Sequence, residues 1–440
     1  MSNILTNNIN PRSGNTININ GTISGINVSG VSTLSNVVVG GATTELVVTG
    51  DARITGILTV GTGSVTFNGN NGVVSGINTI NSVSFPSTGA FSNRNMVING
   101  AMQVAQRSRS ETGVTNAGYK TIDRYRWGLV SLGTWTLERS GDAPVGFSSS
   151  YKATCTTADA SPAASDLLYL QYRMAAEDLH NLNFGTSDAV PMTLSFWVKS
   201  NKTGDASFMM FQNDNSNRLF SNSYTINTAD TWEYKTIAIP ADVSGNINDD
   251  NGIGLTMGWW LNSGSDSTGG SFHTTWDTYA DADTNVSNLG VGGATSDNWL
   301  ITGIQLEVGT QATPFEHRKY CDELARCQRY YQKSYSSDTK VGSVTADGGQ
   351  LGAHMVHIFA TGNTFRYTLK YAVPMRSTPT LTIYNPETGT VGSGGFEGNG
   401  DTNAEVISST FRNEKSLLLF NTSMDNTGSF YWQYQLDAEL

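Results

Sequence analysis

Ionic side chains are scarce in this sequence. Asp, Glu, Lys and Arg make up 14% of its 440 residues, where roughly 25% is usual for soluble domains. The shortage is concentrated at one end: the first ninety residues carry four charges, Arg12, Glu45, Asp51 and Arg53, and no lysine. Overall the acids win, with a formal net charge of −11. Such a chain lacks the basic stripe that displaces counterions from a phosphate backbone, which argues against a nucleic-acid partner. No apolar run approaches the length of about 18 residues that a membrane helix needs, so no membrane span is expected. The opening MSNILTNNINPRSGN has neither the basic nor the apolar region of a secretion signal. Cysteine appears only as Cys155, Cys321 and Cys327. That odd, sparse set argues against a disulfide framework and for synthesis in a reducing compartment.

Catalytic signatures are also missing. There is no G-x-S-x-G elbow, no P-loop, no H-E-x-x-H and no complete G-x-G-x-x-G. His354 and His357 stand three apart, a spacing that sends them to opposite faces of a strand and not to one metal. Asp123, Glu138, Glu233 and Glu307 are carboxylates of the kind a glycosidase pairs, but nothing in the sequence sets two of them across a cleft. No enzyme is expected.

What the low-charge segment does have is alternation. From Leu46 to Val60 the even positions are apolar or glycine (Leu46, Val48, Ile54, Leu58 and Val60 among them), and the odd ones are mostly polar. This is the strand period. A strand with one apolar face and no core of its own needs neighbours. Three copies wrapped about an axis would supply them, with Leu46, Val48, Ile54, Leu58 and Val60 at the shared interface. The expectation is therefore a homotrimeric β shaft or attachment segment over residues 1–90.

From Asn93 onward the composition becomes that of a globular domain. Candidate strands at Met96–Ile98, Trp135–Arg139, Leu168–Tyr172, Met192–Lys199, Ala206–Gln212, Trp232–Pro240, Gly254–Leu261 and Trp299–Val308 are separated by Gly, Asn, Asp and Ser clusters. Their number and spacing predict a jelly-roll sandwich over 91–315. The run HRKYCDELARCQRYYQKSY has helical spacing and predicts a connector over 316–335. The β pattern then returns, punctuated by Pro374, Pro379 and Pro386, and predicts a small C-terminal sandwich over 336–440. The fold class is all-β with one short helix.

Aromatics give the better clue to binding. Trp259, Trp260, Trp276 and Tyr279 flank the Gly/Ser-rich stretch 262–271. Ring faces stack on the apolar faces of sugars, while nearby Asn and Asp bind hydroxyls. On a strand Trp259 and Trp260 face opposite ways, so one of them belongs to the core. Asp281, Asp283 and Asn285 repeat the opening ligand spacing of an EF-hand calcium loop. Val286 and Gly292 stand where its turn glycine and bidentate glutamate belong, so any calcium there needs another kind of site. No other cofactor is expected.

Four stretches, NRNMVINGAMQVAQRS at 93–108, IDRYRW at 122–127, MTLSFWVKSNKTG at 192–204 and the long run 298–335, resemble fibre and virion proteins of tailed phages, notably cyanophages. The closing YWQYQLDAEL and the phrase TGILTVGTG at 55–63 are similar to their C-terminal and shaft regions. The resemblance implies a virion structural protein with a carbohydrate-binding-module-like jelly roll, made in the bacterial cytoplasm and assembled as trimers. A tail fibre that contacts tail or baseplate proteins and host surface polysaccharide is the first expectation. A capsid decoration or baseplate protein without receptor binding is the alternative, and a glycan-degrading tail spike comes last.

Overall fold

A computed structural model of the chain describes residues 57–59, 66–68, 73–75, 79–80, 83–84, 93–214, 217–344, 363–397, 405–406, 408–424 and 429–440. The chain divides into two compact units, 1–76 and 77–440. In the first, β1 (Ile57–Thr59), β2 (Thr66–Asn68) and β3 (Val73–Ser75) form an antiparallel meander. Leu58 pairs with Phe67, and Phe67 with Val74. These main-chain partners come from within the chain. Of the expected interface positions, Leu46, Val48, Ile54 and Val60 lie outside the described residues, and Leu58 is placed by its backbone alone.

The second unit begins with the short pair β4 (Thr79–Ile80) and β5 (Val83–Ser84). It then builds a two-sheet sandwich. Its strands are β6 (Ser110–Val114), β7 (Gly118–Tyr119), β8 (Tyr125–Val130), β9 (Thr134–Ser140), β10 (Ser150–Thr157) and β11 (Leu167–Ala175). They continue with β12 (Met192–Ser200), β13 (Gly204–Gln212), β14 (Arg218–Ile226), β15 (Glu233–Ile239), β16 (Ile253–Ser263), β17 (Asp277–Thr278) and β18 (Asn298–Val308). A six-stranded sheet runs β15-β12-β18-β10-β9-β6, and a seven-stranded one runs β17-β14-β13-β16-β11-β8-β7. Every pairing is antiparallel. The inward residues fuse into one core that includes Trp127, Trp135, Trp259, Trp299 and Phe196, all fully buried. Each such side chain contributes roughly 1.5–3 kcal/mol by leaving water.

Two expectations need correction. Met96–Ile98 is not a strand. Asn99 (φ 62°) and Met102 (φ 55°) adopt left-handed conformations that break extended pairing. The segment is instead tied down by single bonds, Met96 N to Leu306 O (2.9 Å) and Asn95 Nδ2 to Ile304 O (3.0 Å). The helix is α1 (Tyr320–Gln328), shorter than the expected 316–335. It stops because Tyr330 and Tyr331 are drawn into buried contact with two arginines, so tertiary packing overrides helical propensity.

The remaining strands are β19 (Tyr331–Lys333), β20 (Asn363–Lys370), β21 (Thr380–Tyr384), β22 (Ser393–Glu397), β23 (Glu405–Val406), β24 (Ser408–Arg412), β25 (Ser416–Met424), β26 (Ser429–Tyr431) and β27 (Gln433–Asp437). They make three small sheets, β19-β27-β21, β20-β25-β24 and β23-β22-β26. Leu369, Ile383, Leu417, Leu419, Trp432 and Leu436 form their separate core. The chain's last residues return to the sandwich. Arg124 and Glu439 form an ion pair with side chains 1% and 3% exposed. Arg107 reaches Glu439 at 3.3 Å and Asp437 at 3.1 Å. The Arg124 and Arg107 guanidinium groups lie 3.4 Å and 3.8 Å from the ring centres of Tyr330 and Tyr331. Arg173 Nη1 and Tyr119 Oη both donate to the Leu440 carbonyl oxygen, at 2.7 and 3.0 Å.

Candidate functional site

The strand register of the seven-stranded sheet decides which rings face outward. Leu170 pairs with Trp127 and Trp259, and all three point into the core. One residue along, Tyr169 pairs with Trp260 on one side and Gly128 on the other. This row therefore points to the outer face. Tyr169 and Trp260 lie 4.7 Å apart between ring centres at a 34° tilt. Met209, Leu219, Leu167 and Tyr279 pack with them into a cluster separate from the core. Phe211 joins through Tyr279, with centres 4.8 Å apart and planes at 61°. Trp260 is 4% exposed, while Tyr169, Phe211 and Tyr279 are half-buried. The outcome is a floor of rings whose centre is dry and whose rim meets solvent.

Two glycines make that floor. A Cβ on Gly128 would stand 2.6 Å from the Tyr169 ring, and one on Gly258 would stand 2.8 Å from Met209 Cε. Glycine inside a strand weakens it, and here it makes room for side chains lying flat across the sheet. A polar margin adjoins the rings. Gln171 Oε1 accepts from Arg173 Nε at 3.0 Å and from Arg126 Nη1 at 3.5 Å. Flat rings beside amide and guanidinium donors are the chemistry that holds a sugar's apolar face and its hydroxyls.

Of the expected ligand-binding residues, the structure brings Trp260 and Tyr279 to this floor and places the other two elsewhere. Trp259 is fully buried between Phe196 and Phe208. Trp276 is a core residue against Phe184, and its Nε1 donates to Pro240 O at 2.8 Å. Neither offers a ring face to a ligand. Tyr169 and Phe211 were not singled out in the sequence. Gly128 and Gly258, each beside a tryptophan within a strand, were the available signal.

The calcium triad does not assemble. Asp281 accepts from the Tyr279 hydroxyl. Asp283 accepts from His273 Nε2 at 2.8 Å and from Ser271 N at 2.8 Å, and these bonds hold its carboxyl below the usual range. Asn285 is fully buried and donates to Ser263 Oγ at 2.7 Å. Three side chains with three separate partners do not form a coordination shell, and no cluster able to hold a metal ion occurs among the described residues. Burial and the Asp281 carboxylate push the Tyr279 hydroxyl upward, so it stays a donor at neutral pH.

The candidate carboxylates are likewise scattered. Glu307 accepts from Thr313 N at 2.8 Å and from Gln305 Nε2 at 2.9 Å. Glu138 pairs with Lys152 at 3.1 Å. Glu233 closes a turn by accepting from Asn227 N and Thr228 N, both at 2.8 Å. Asp123 is bound to Gln106 in the interior. His354 and His357 lie outside the described residues.

No family model matches this sequence, and no curated protein is detectably similar to it. Among solved structures, the enzymatically active domain of bacteriophage CBA120 tailspike protein 4 aligns over 51% of this chain and 24% of its own, at 13% identity and TM-score 0.27. A family 11 carbohydrate-binding module of a Clostridium thermocellum cellulosomal cellulase aligns over 51% of this chain and 97% of its own, at 12% identity and TM-score 0.23. A family 16 carbohydrate-binding module aligns over 39% and 84%, at 12% identity and TM-score 0.20. The chain thus spans about a quarter of the tailspike domain it aligns with and 97% and 84% of the family 11 and family 16 modules.

Proposed function

We propose that this chain is a structural protein of a phage virion, a trimeric tail fibre that joins the tail through its N-terminal segment and binds host surface polysaccharide. The observation that supports the binding role is the group of half-buried rings Tyr169, Phe211 and Tyr279, seated around the buried Trp260 on the outer face of the seven-stranded sheet. The virion role rests on the resemblance of stretches 93–108, 122–127, 192–204 and 298–335 to phage fibre proteins. The trimer rests on the low charge of residues 1–90 and on the two-faced alternation between Leu46 and Val60. Weak single sites become effective when three are presented together.

A second aromatic group, on the opposite sheet, provides the control. Trp197 and Tyr234 lie 5.3 Å apart, and Phe147, Phe315 and His317 gather within about the same distance of one another. The test is binding of purified protein to intact host cells and to a glycan array. Replacing Tyr169 by Ala is expected to weaken binding ten- to thirtyfold, about 1.4–2 kcal/mol at a central contact. Tyr234→Ser is expected to leave it unchanged. If the effects are reversed, the six-stranded face is the binding surface; folded wild-type protein that binds neither cells nor array would end the adhesive reading.

A further inference from the structure

A second opening lies where the sandwich strands turn. The loops after β10, β12 and β16 and the one before β18 surround a cleft of about 510 Å³, within the range of small-molecule sites. Asp159, Lys202, Asn262, Ser263, Thr268 and Asn288 line it, beside the bare backbone of Gly290 and Gly293. No aromatic residue lines it, so it offers a ligand polar groups and no ring to stack on.

Its polar groups are already oriented. Asn288 Nδ2 donates to Asn262 Oδ1 at 3.1 Å and to Ser263 O at 3.0 Å, while Asn288 Oδ1 accepts from Gly290 N at 3.1 Å. Asn262 is 4% exposed, and its Oδ1 is engaged. Its Nδ2 has no hydrogen-bond partner among the described residues, and the side chain borders the cleft. On the cleft side that amide is free to donate to an acceptor that enters. The charges narrow the choice of ligand. Lys202 Nζ lies 3.5 Å from Asp297 Oδ2, and Asp159 borders the same space. Two carboxylates against one ammonium disfavour an anionic ligand.

The cleft is separate from the ring floor. Asn262 follows Trp260 by two residues on β16, but Leu261 is bulged between them and Asn262 pairs with the inward-facing Leu168, so it stands on the other face of the sheet, at the end of the sandwich. We infer that the cleft is a subsite for one neutral, hydroxyl-bearing sugar residue, held by the amides of Asn262 and Asn288. This rests on the reading that the outer face binds glycan, and the test separates the two.

The probes are free D-glucose, D-galactose, D-mannose and N-acetylglucosamine, with D-glucuronate as the anionic comparison, observed by saturation-transfer difference NMR. At least one neutral sugar should give transfer, and glucuronate none. The blocking variant is Gly293→Leu. A Cβ at Gly293 meets only Gly290 O at 3.4 Å and Lys202 Nζ at 3.9 Å, ordinary contacts that leave the loop intact while the longer side chain fills the cleft. It should cut the transfer at least tenfold, Thr268→Val should weaken it less, and Tyr169→Ala should leave it in place. Absence of transfer from every neutral sugar overturns the proposal, as does transfer that survives Gly293→Leu. Transfer lost only in Tyr169→Ala removes the cleft and keeps the outer face; polysaccharide binding indifferent to Tyr169 removes the outer face instead.

Discussion

Replacing Glu439 by Gln tests whether the chain's last residues are a structural clamp. The Glu439 carboxylate sits with Arg124 and Arg107 where its own side chain is 3% exposed and that of Arg124 is 1% exposed. The glutamine keeps an acceptor and nearly the same shape, so the change removes charge and little else. It leaves the Arg124 guanidinium buried without its carboxylate. Breaking a buried pair from one side costs about 3–5 kcal/mol. The retained hydrogen bond puts this case near the lower end. For a unit of this size each kcal/mol moves the melting temperature by about 2 °C, so a fall of about 6 °C is expected by calorimetry at fixed scan rate. Asp437 contacts Arg107 too, but its side chain is 39% exposed. Asp437→Asn should therefore cost under about 1 kcal/mol, as exposed ion pairs do.

The clamp also joins the C-terminal sheets to the sandwich, so in Glu439→Gln limited proteolysis should release the C-terminal sheets sooner than in the wild type. A Glu439→Gln protein that melts with the wild type would mean that water reaches this pair in solution and that the buried network holds nothing together. A shift as large in Asp437→Asn would place the attachment at the exposed edge and not at the buried centre.

Further expectations concern pH, the ring floor and assembly. Burial outweighs the pull of Arg107 and the Gln106 bonds and raises the Asp123 carboxyl to about 6. The unfolded chain releases this proton near pH 4 and the folded one near pH 6, so this group's contribution to stability falls between those values and is flat above them. Asp123→Asn should therefore gain on the wild type as pH rises from 4 to 6; melting curves with a constant difference would contradict this. Gly128→Ala should lift the Tyr169 ring from its seat and weaken glycan binding about as much as Tyr169→Ala does, because its Cβ would stand 2.6 Å from that ring; full binding by the alanine variant would show that Tyr169 does not contact ligand. Ile54→Asp should lower the association state seen by sedimentation, since three unpaired charges would enter one interface; a trimer that persists at low concentration would place Ile54 away from the shared axis.

The sandwich was legible where large residues alternate with small ones. Met192–Ser200 and Asn298–Val308 announce themselves through Leu194, Phe196, Val198, Leu300, Ile304 and Leu306. Ser150–Thr157 and Arg218–Ile226 escaped notice for the opposite reason. Their inward positions include Tyr151, Ala153 and Cys155 in one and Phe220 and Tyr224 in the other, diluted among Ser, Thr and Asn. Period two was present there without enough apolar bulk to stand out. The floor was half legible for a related reason. Trp260 and Tyr279 are conspicuous in the sequence, but Tyr169 is about ninety residues away and meets Trp260 only through the pairing of β11 with β16. Trp276 misled because a tryptophan beside a flexible loop looks exposed, whereas a hydrogen bond to Pro240 O draws this one inward.

If the ring floor and the cleft bind sugar as proposed, they would divide the work of recognition. Stacking on rings tolerates many sugars, since most pyranoses have an apolar face, so the floor would supply grip with little discrimination. Fixed amides discriminate, because a ligand lacking the matching hydroxyl leaves a nearly buried donor unpaired. A chain with few charges and an excess of acid is poorly suited to attract an anionic polymer over distance. It is better suited to a neutral one, where affinity comes from short-range contact repeated in each copy. The scarcity of ionic groups at the N-terminus would follow a related logic, since chain that packs against identical chains buries its surface and fixed charge there would be costly.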